Sequence, residues 1–123
     1  MTDMKRHLKT LSKRKTAKQQ NLLNLEKITR TLRASLPALR DRYGVRSLGL
    51  FGSYVRGEQK KGSDLDILVE FDERPLTLLQ FIILEQELSA LLGVKVDLKV
   101  DLVERHALKP AIGRHILQEV VPV

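Results

Sequence analysis

An α/β (α+β) fold is what this chain predicts, a small sheet with helices packed on it. Three observations lead there. Strand-like runs of about seven residues alternate with longer runs of helical periodicity. The 123 residues make one domain's worth of chain, enough for a single core. Repeats, low-complexity linkers and a second apolar cluster are all missing from the sequence.

Residues 1–20 carry only a weak apolar stripe (Met4, Leu8, Leu11) and read as a helix-prone basic arm; residues 21–123 read as the domain proper. Leu22, Leu25, Ile28, Thr29 and Leu32 recur at helical spacing, which predicts an amphipathic helix over 21–34. Ser35 and Pro37 are expected to break it, and a short helix from Pro37 to Tyr43 to end at Gly44. Val45 to Phe51 reads as a strand with Leu48 and Leu50 on one face and Gly49 and Phe51 on the other. Gly52 and Ser53 stop it, one helical turn follows to Gly57, and a polar loop carries Lys60, Lys61 and Gly62. Leu65 to Phe71 is densely apolar and reads as a central strand. Pro75 and Thr77 open a helix over Leu78 to Leu92, with Leu78, Phe81, Leu84, Leu88 and Leu91 on one face and Gly93 closing it. Val94 to Val100 alternates apolar and polar residues, which predicts a half-buried strand. Residues 102–108 read as a linker or short turn, and Pro110 to Val120 as a last helix.

Composition excludes several classes of protein. Without cysteine there is no disulfide scaffold, zinc finger, thiolate nucleophile or iron–sulfur cluster. The longest nearly apolar run, Leu78 to Leu84, is too short to span a bilayer. A basic N-terminus with no apolar run behind it is not a secretory signal, so a soluble cytoplasmic protein is expected. The net charge of +7 is an N-terminal property: residues 1–33 hold ten basic side chains against Asp3 and Glu26. Such an arm is either a solvated tail or a binder of nucleic acid or an acidic partner. It has no interleaved aromatic residue for base stacking.

The chemistry concentrates in Gly52-Ser53-Tyr54-Val55-Arg56-Gly57 and in Ser63-Asp64-Leu65-Asp66. Two carboxylates two residues apart at a strand's start point to one side of the sheet. They repel each other unless a cation lies between them, and Mg²⁺ suits hard oxygen ligands. Asp97, on the polar face of the expected strand over 94–100, is the candidate for a third carboxylate if the two strands are neighbours. Three carboxylates and two metal ions make a phosphoryl-transfer site. Gly52 lets a triphosphate approach the backbone, and Ser53 at a helix start offers its hydroxyl and N–H groups to phosphate oxygens. Arg56 either reaches a phosphate or braces the Gly-Ser turn through an acidic neighbour. Lone Asp-x-Asp and Gly-Ser pairs are commonplace turns. The joint spacing, Gly-Ser, ten residues, Asp-x-Asp, arises by chance in roughly one chain per thousand of this length. His7, His106 and His115 have no paired ligand spacing. Tyr43 and Tyr54 read as packing or surface residues.

These motifs resemble those of the minimal nucleotidyltransferases (MNT type) of the DNA polymerase β-like superfamily. The resemblance rests on Gly52, Ser53, Arg56, Gly57, Ser63, Asp64, Asp66 and Asp97, and on the closing Leu108-Lys109-Pro110 with its helix; it covers residues 21–123. Val55 stands where alanine is usual, which alters packing but removes no ligand. The resemblance implies a small mixed sheet flanked by helices, ATP as substrate, two Mg²⁺ ions and AMP transfer. It implies metal binding by Asp64, Asp66 and Asp97 and nucleotide binding by Gly52, Ser53, Arg56 and Ser63. It also implies an antitoxin role in a hetero-complex, in which AMP is added to a tyrosine of a HEPN-type ribonuclease toxin. The alternatives are a small-molecule or RNA acceptor, a non-catalytic antitoxin acting by contact alone, and nucleic-acid binding through the arm.

Overall fold

A computed structural model describes residues 16–74, 76–96 and 99–123. Its first helix, α1 (Ala17–Tyr43), starts earlier than expected because Thr16 and Gln19 form a reciprocal cap. The Gln19 N–H donates to Thr16 Oγ1 and the Thr16 N–H to Gln19 Oε1, both at 3.1 Å. The expected arm therefore runs into this helix at its C-terminal end, while residues 1–15 lie outside the described residues.

The expected break at Ser35 and Pro37 is absent: α1 is one helix with Pro37 inside it. A proline within a helix costs about 3 kcal/mol. Ile28, Leu32, Leu36, Leu39 and Tyr43 stay in helical phase across it and pack into the core. Each fully buried aliphatic side chain returns about 1.5–3 kcal/mol, so tertiary burial outweighs the local penalty. The far end of α1 is tied down by the Tyr43 hydroxyl, which donates to Glu87 at 2.6 Å, and by an Arg42–Glu87 ion pair.

Four strands follow: β1 (Val45–Phe51), β2 (Leu65–Phe71), β3 (Val100–Glu104) and β4 (Val121–Pro122). They form a mixed sheet in the order β3-β2-β1-β4. β1 is antiparallel to β2 and β4, and β2 is parallel to β3. The helices between them are the single turn α2 (Ser53–Arg56), α3 (Leu78–Val96) and α4 (Pro110–Glu119), with a 3-10 turn at Arg105–Ala107.

The two-residue alternation sorts the side chains of the sheet. Leu48, Leu50, Leu65, Ile67, Val69, Val100 and Leu102 face α1 and α3, where Ile28, Leu32, Leu39, Leu84, Leu88 and Leu92 complete the main core. The opposite face carries a smaller cluster of Phe51, Leu68 and Ile116 under α4. Gly49 lies in this path. A Cβ there would sit 2.4 Å from Val120 Cγ2, so its missing side chain lets α4 run into β4, a strand that the sequence pattern did not predict.

The C-terminal half of α3 departs from expectation. The helix passes through Gly93 to Val96, where a strand was expected over 94–100, and the strand begins only at Val100. Its buried face is Leu84, Leu88 and Leu92, while Leu78 is 75% exposed. From α3 the Ser89 hydroxyl accepts the Val100 N–H at 3.0 Å, and Glu85 accepts the Leu102 N–H at 2.9 Å. Among the described residues no helix is long and apolar enough to cross a membrane.

Candidate active site

The parallel register sets Asp66 of β2 beside Asp101 of β3. Both project to the α4 side of the sheet, opposite the main core, because their neighbours in the strands are the buried Leu65, Ile67, Val100 and Leu102. Asp64, just before β2, is exposed. Burial pushes the Asp66 carboxyl up to about 6, with the Asp101 charge, a hydrogen bond shared with Asp101 and the Asp64 charge adding to the effect. Arg56 opposes it. Carboxylates gathered around Asp66 in this way form a hard oxygen donor set whose repulsion a divalent cation would relieve. Among the described residues no three such side chains already converge on one point.

Asp97 lies outside the described residues. The expected strand over 94–100 is instead helical to Val96, so the carboxylate beside Asp66 in the sheet is Asp101, four residues further on. Val94, Val96, Leu98, Val100 and Leu102 share one parity, and Asp97 and Asp101 share the other. Alternation selects a face and leaves register open.

Gly52 stands at the end of β1, and its neighbour Phe51 pairs with Asp66. Its φ of 83° and ψ of −157° belong to a region that side-chain-bearing residues rarely enter. A Cβ on Gly52 would fall 2.0 Å from Asp66 Oδ2, so the glycine makes room for the carboxylate. The carbonyl of Gly52 accepts the N–H groups of Val55 at 3.1 Å and Arg56 at 3.2 Å, which winds α2. Ser53 opens that turn and is partly exposed.

The structure brings Arg56 to acidic neighbours. Its Nε donates to Glu58 at 2.9 Å and its Nη1 to Glu119 at 2.7 Å, while Glu119 also accepts the Gly52 N–H. Ser63 closes a turn: its hydroxyl accepts the Lys60 N–H and its own N–H donates to the Lys60 carbonyl, both at 2.9 Å. Tyr54 packs against the core, and its hydroxyl donates to the Ser63 carbonyl at 3.3 Å. Burial and the Asp64 charge raise that phenol above its ordinary value.

Sequence reasoning missed two supports of this turn. Asn21 is buried in α1, donates to the Tyr54 carbonyl at 3.1 Å and accepts from Gln59 at 2.6 Å. The signal was a polar residue in helical phase with Leu25, Ile28 and Leu32; Leu22, expected on the apolar face, is 53% exposed. Glu119 gave no signal, since its hydrogen-bond donors lie more than sixty residues away. A cavity of about 840 Å³ lies at the other end of β2, lined among others by Phe71, Leu76 and Phe81, and Asp64, Asp66, Asp101 and Glu119 are not in its lining.

Acidic side chains gathered at the start of a central strand, against a Gly-Ser turn, are the kind of donor set that phosphoryl-transfer chemistry on nucleotides uses. Residues 32–121 match the nucleotidyltransferase domain family, most of the chain, and the protein belongs to that family. The chain is 54% identical over 102 residues to the protein adenylyltransferase MntA of Thermococcus cleftensis, covering 83% of this chain and 98% of that one. A solved minimal nucleotidyltransferase is similar at 37% identity and a TM-score of 0.62, covering 76% of this chain and 91% of that one. A toxin–antitoxin structure with AMP-PNP is similar at 27% identity and a TM-score of 0.53, covering 79% and 69%.

Proposed function

We propose that the protein is a Mg²⁺-dependent adenylyltransferase that moves AMP from ATP to a protein hydroxyl, and that it acts as an antitoxin. The acceptor we propose is a tyrosine of a HEPN-type ribonuclease toxin. The observation that carries the chemistry is the Asp66–Asp101 pair with Asp64 nearby, set against the Gly52-Ser53 turn. The similarity to a named protein adenylyltransferase and to a toxin–antitoxin structure with an ATP analogue supports a protein acceptor and the antitoxin role.

Asp64, Asp66 and Asp101 would hold Mg²⁺, which supplies charge neutralisation for the phosphates when bound. The Ser53 hydroxyl and backbone would hold triphosphate oxygens. The acceptor oxygen bonds to the α-phosphorus, the bond from that phosphorus to the bridging oxygen breaks, and pyrophosphate leaves with the electron pair. The hydroxyl proton passes to a carboxylate, and Asp101, exposed beside the partly buried Asp66, is open to an incoming acceptor. Arg56 braces the turn through the two carboxylates that engage it.

The test is incubation of the purified protein with labelled ATP, Mg²⁺ and a HEPN-type partner. Label on a partner tyrosine, lost with Asp66→Asn, is the expected result. Silencing of the partner without ATP would replace this reading with antitoxin action by contact alone.

A further inference from the structure

Glu119 is the last residue of α4, and only 13% of its side chain is exposed. A single oxygen, Oε1, accepts both the Gly52 N–H at 3.1 Å and Arg56 Nη1 at 2.7 Å. His115 Nε2 lies 3.8 Å from the other oxygen. A carboxylate at the C-terminal end of a helix faces the negative end of the macrodipole, so helix stability is no reason for a glutamate there. Both of its close donors belong to the Gly52–Arg56 turn.

We propose that Glu119 is a positioning residue for the nucleotide, fixing the Gly52-Ser53 turn against the carboxylate cluster through the Gly52 N–H and the Arg56 guanidinium. The inference rests on the nucleotidyl-transfer reading above. Its physical basis is the backbone of Gly52. Glycine is the freest of residues and enters this φ/ψ region without strain, so its own backbone does not fix the turn and outside contacts must. Asp66 closes one side of Gly52 and its carbonyl winds α2, which leaves the N–H as the remaining handle. Glu119 holds that handle and, by the same oxygen, the arginine at the far end of the turn. The C-terminal helix thereby sets the orientation of the Ser53 hydroxyl. The same contact also leaves Ser53, rather than the engaged Gly52 N–H, to meet phosphate.

The experiment compares the full-length protein with Glu119→Ala, Glu119→Gln and Arg56→Ala/Glu119→Ala. The readouts are AMP-PNP–Mg²⁺ binding by calorimetry, the KM for ATP and for the acceptor, and thermal melting. Glu119→Ala should weaken AMP-PNP binding and raise the KM for ATP about tenfold, near 1.4 kcal/mol, with the KM for the acceptor unchanged. Glu119→Gln keeps an oxygen for both donors and should recover most of the loss. The double variant should be no worse than Glu119→Ala, because the two residues act through each other. Unchanged nucleotide binding in Glu119→Ala, even with a lowered melting temperature, would reduce Glu119 to a pin for α4 and overturn the inference. A wild-type protein that binds no AMP-PNP–Mg²⁺ would instead sink the nucleotidyl-transfer reading itself.

Discussion

Asp66 and Asp101 face each other as register partners across the parallel ladder of β2 and β3, and the Asp101 charge helps to push the Asp66 carboxyl up. Two acids in that position are poorly accommodated as a pair of anions.

Replacing Asp66 by asparagine should therefore abolish AMP transfer while leaving the metal-free fold intact or slightly firmer. The raised carboxyl of Asp66 favours the folded state at low pH, and that contribution is lost as pH rises from its ordinary value of 3.8 through about 6. At pH 7 Asp66→Asn should gain stability of no more than about 1 kcal/mol, since the site is partly solvated. Urea unfolding without Mg²⁺ checks the sign, and a clear loss of stability would contradict it.

Asp101→Asn should bind AMP-PNP yet transfer no AMP, whereas Asp97→Asn should transfer normally. The pair of variants separates two residues of equal parity in the sequence. Retained transfer in Asp101→Asn would remove it from the site.

Proton and metal compete for the same oxygens. Below pH 6 Asp66 holds a proton, so the apparent Mg²⁺ affinity should fall by up to about tenfold per pH unit there and level off above it. Calorimetric titration from pH 5 to 7.5 measures this; a flat profile would mean that Asp66 does not bind the ion.

Gly52→Ala places a methyl group 2.0 Å from Asp66 Oδ2 in a backbone region closed to alanine. The strain and clash should cost about 2–4 kcal/mol and end nucleotide binding. Melting temperature and AMP-PNP binding measure the two effects.

Much of this site was legible because its signals are local. The Gly-Ser stop after an alternating strand, the Asp-x-Asp start of an apolar one and the period of each strand all lie within a few residues of what they determine. What was not legible depends on distant partners. Nothing near Pro37 announces that Leu39 and Tyr43 will be buried strongly enough to carry the helix through it. Pro37→Ala should accordingly stabilise the protein by about 1–3 kcal/mol, because a continuous α1 gains a backbone hydrogen bond; destabilisation would show that the proline serves that helix. Asp97 and Asp101 are equivalent to any two-residue pattern, and only the end of α3 chooses between them. Asn21 and Glu119 reach the turn from opposite ends of the chain, a relation that no window of sequence contains.

The hydrogen bonds from Ser89 and Glu85 to β3 bear on how this protein can meet another. β3 is an outer strand, and two of its outward N–H groups are already satisfied by side chains of the same chain. At the opposite border β4 is two residues long and includes Pro122, which has no N–H to give. A strand offered by a companion protein would find two donors of β3 already taken and none at Pro122, which disfavours recognition by β-augmentation. A partner protein would then be met by helix surfaces and side chains, whose specificity can change by substitution without disturbing the sheet that carries the acids.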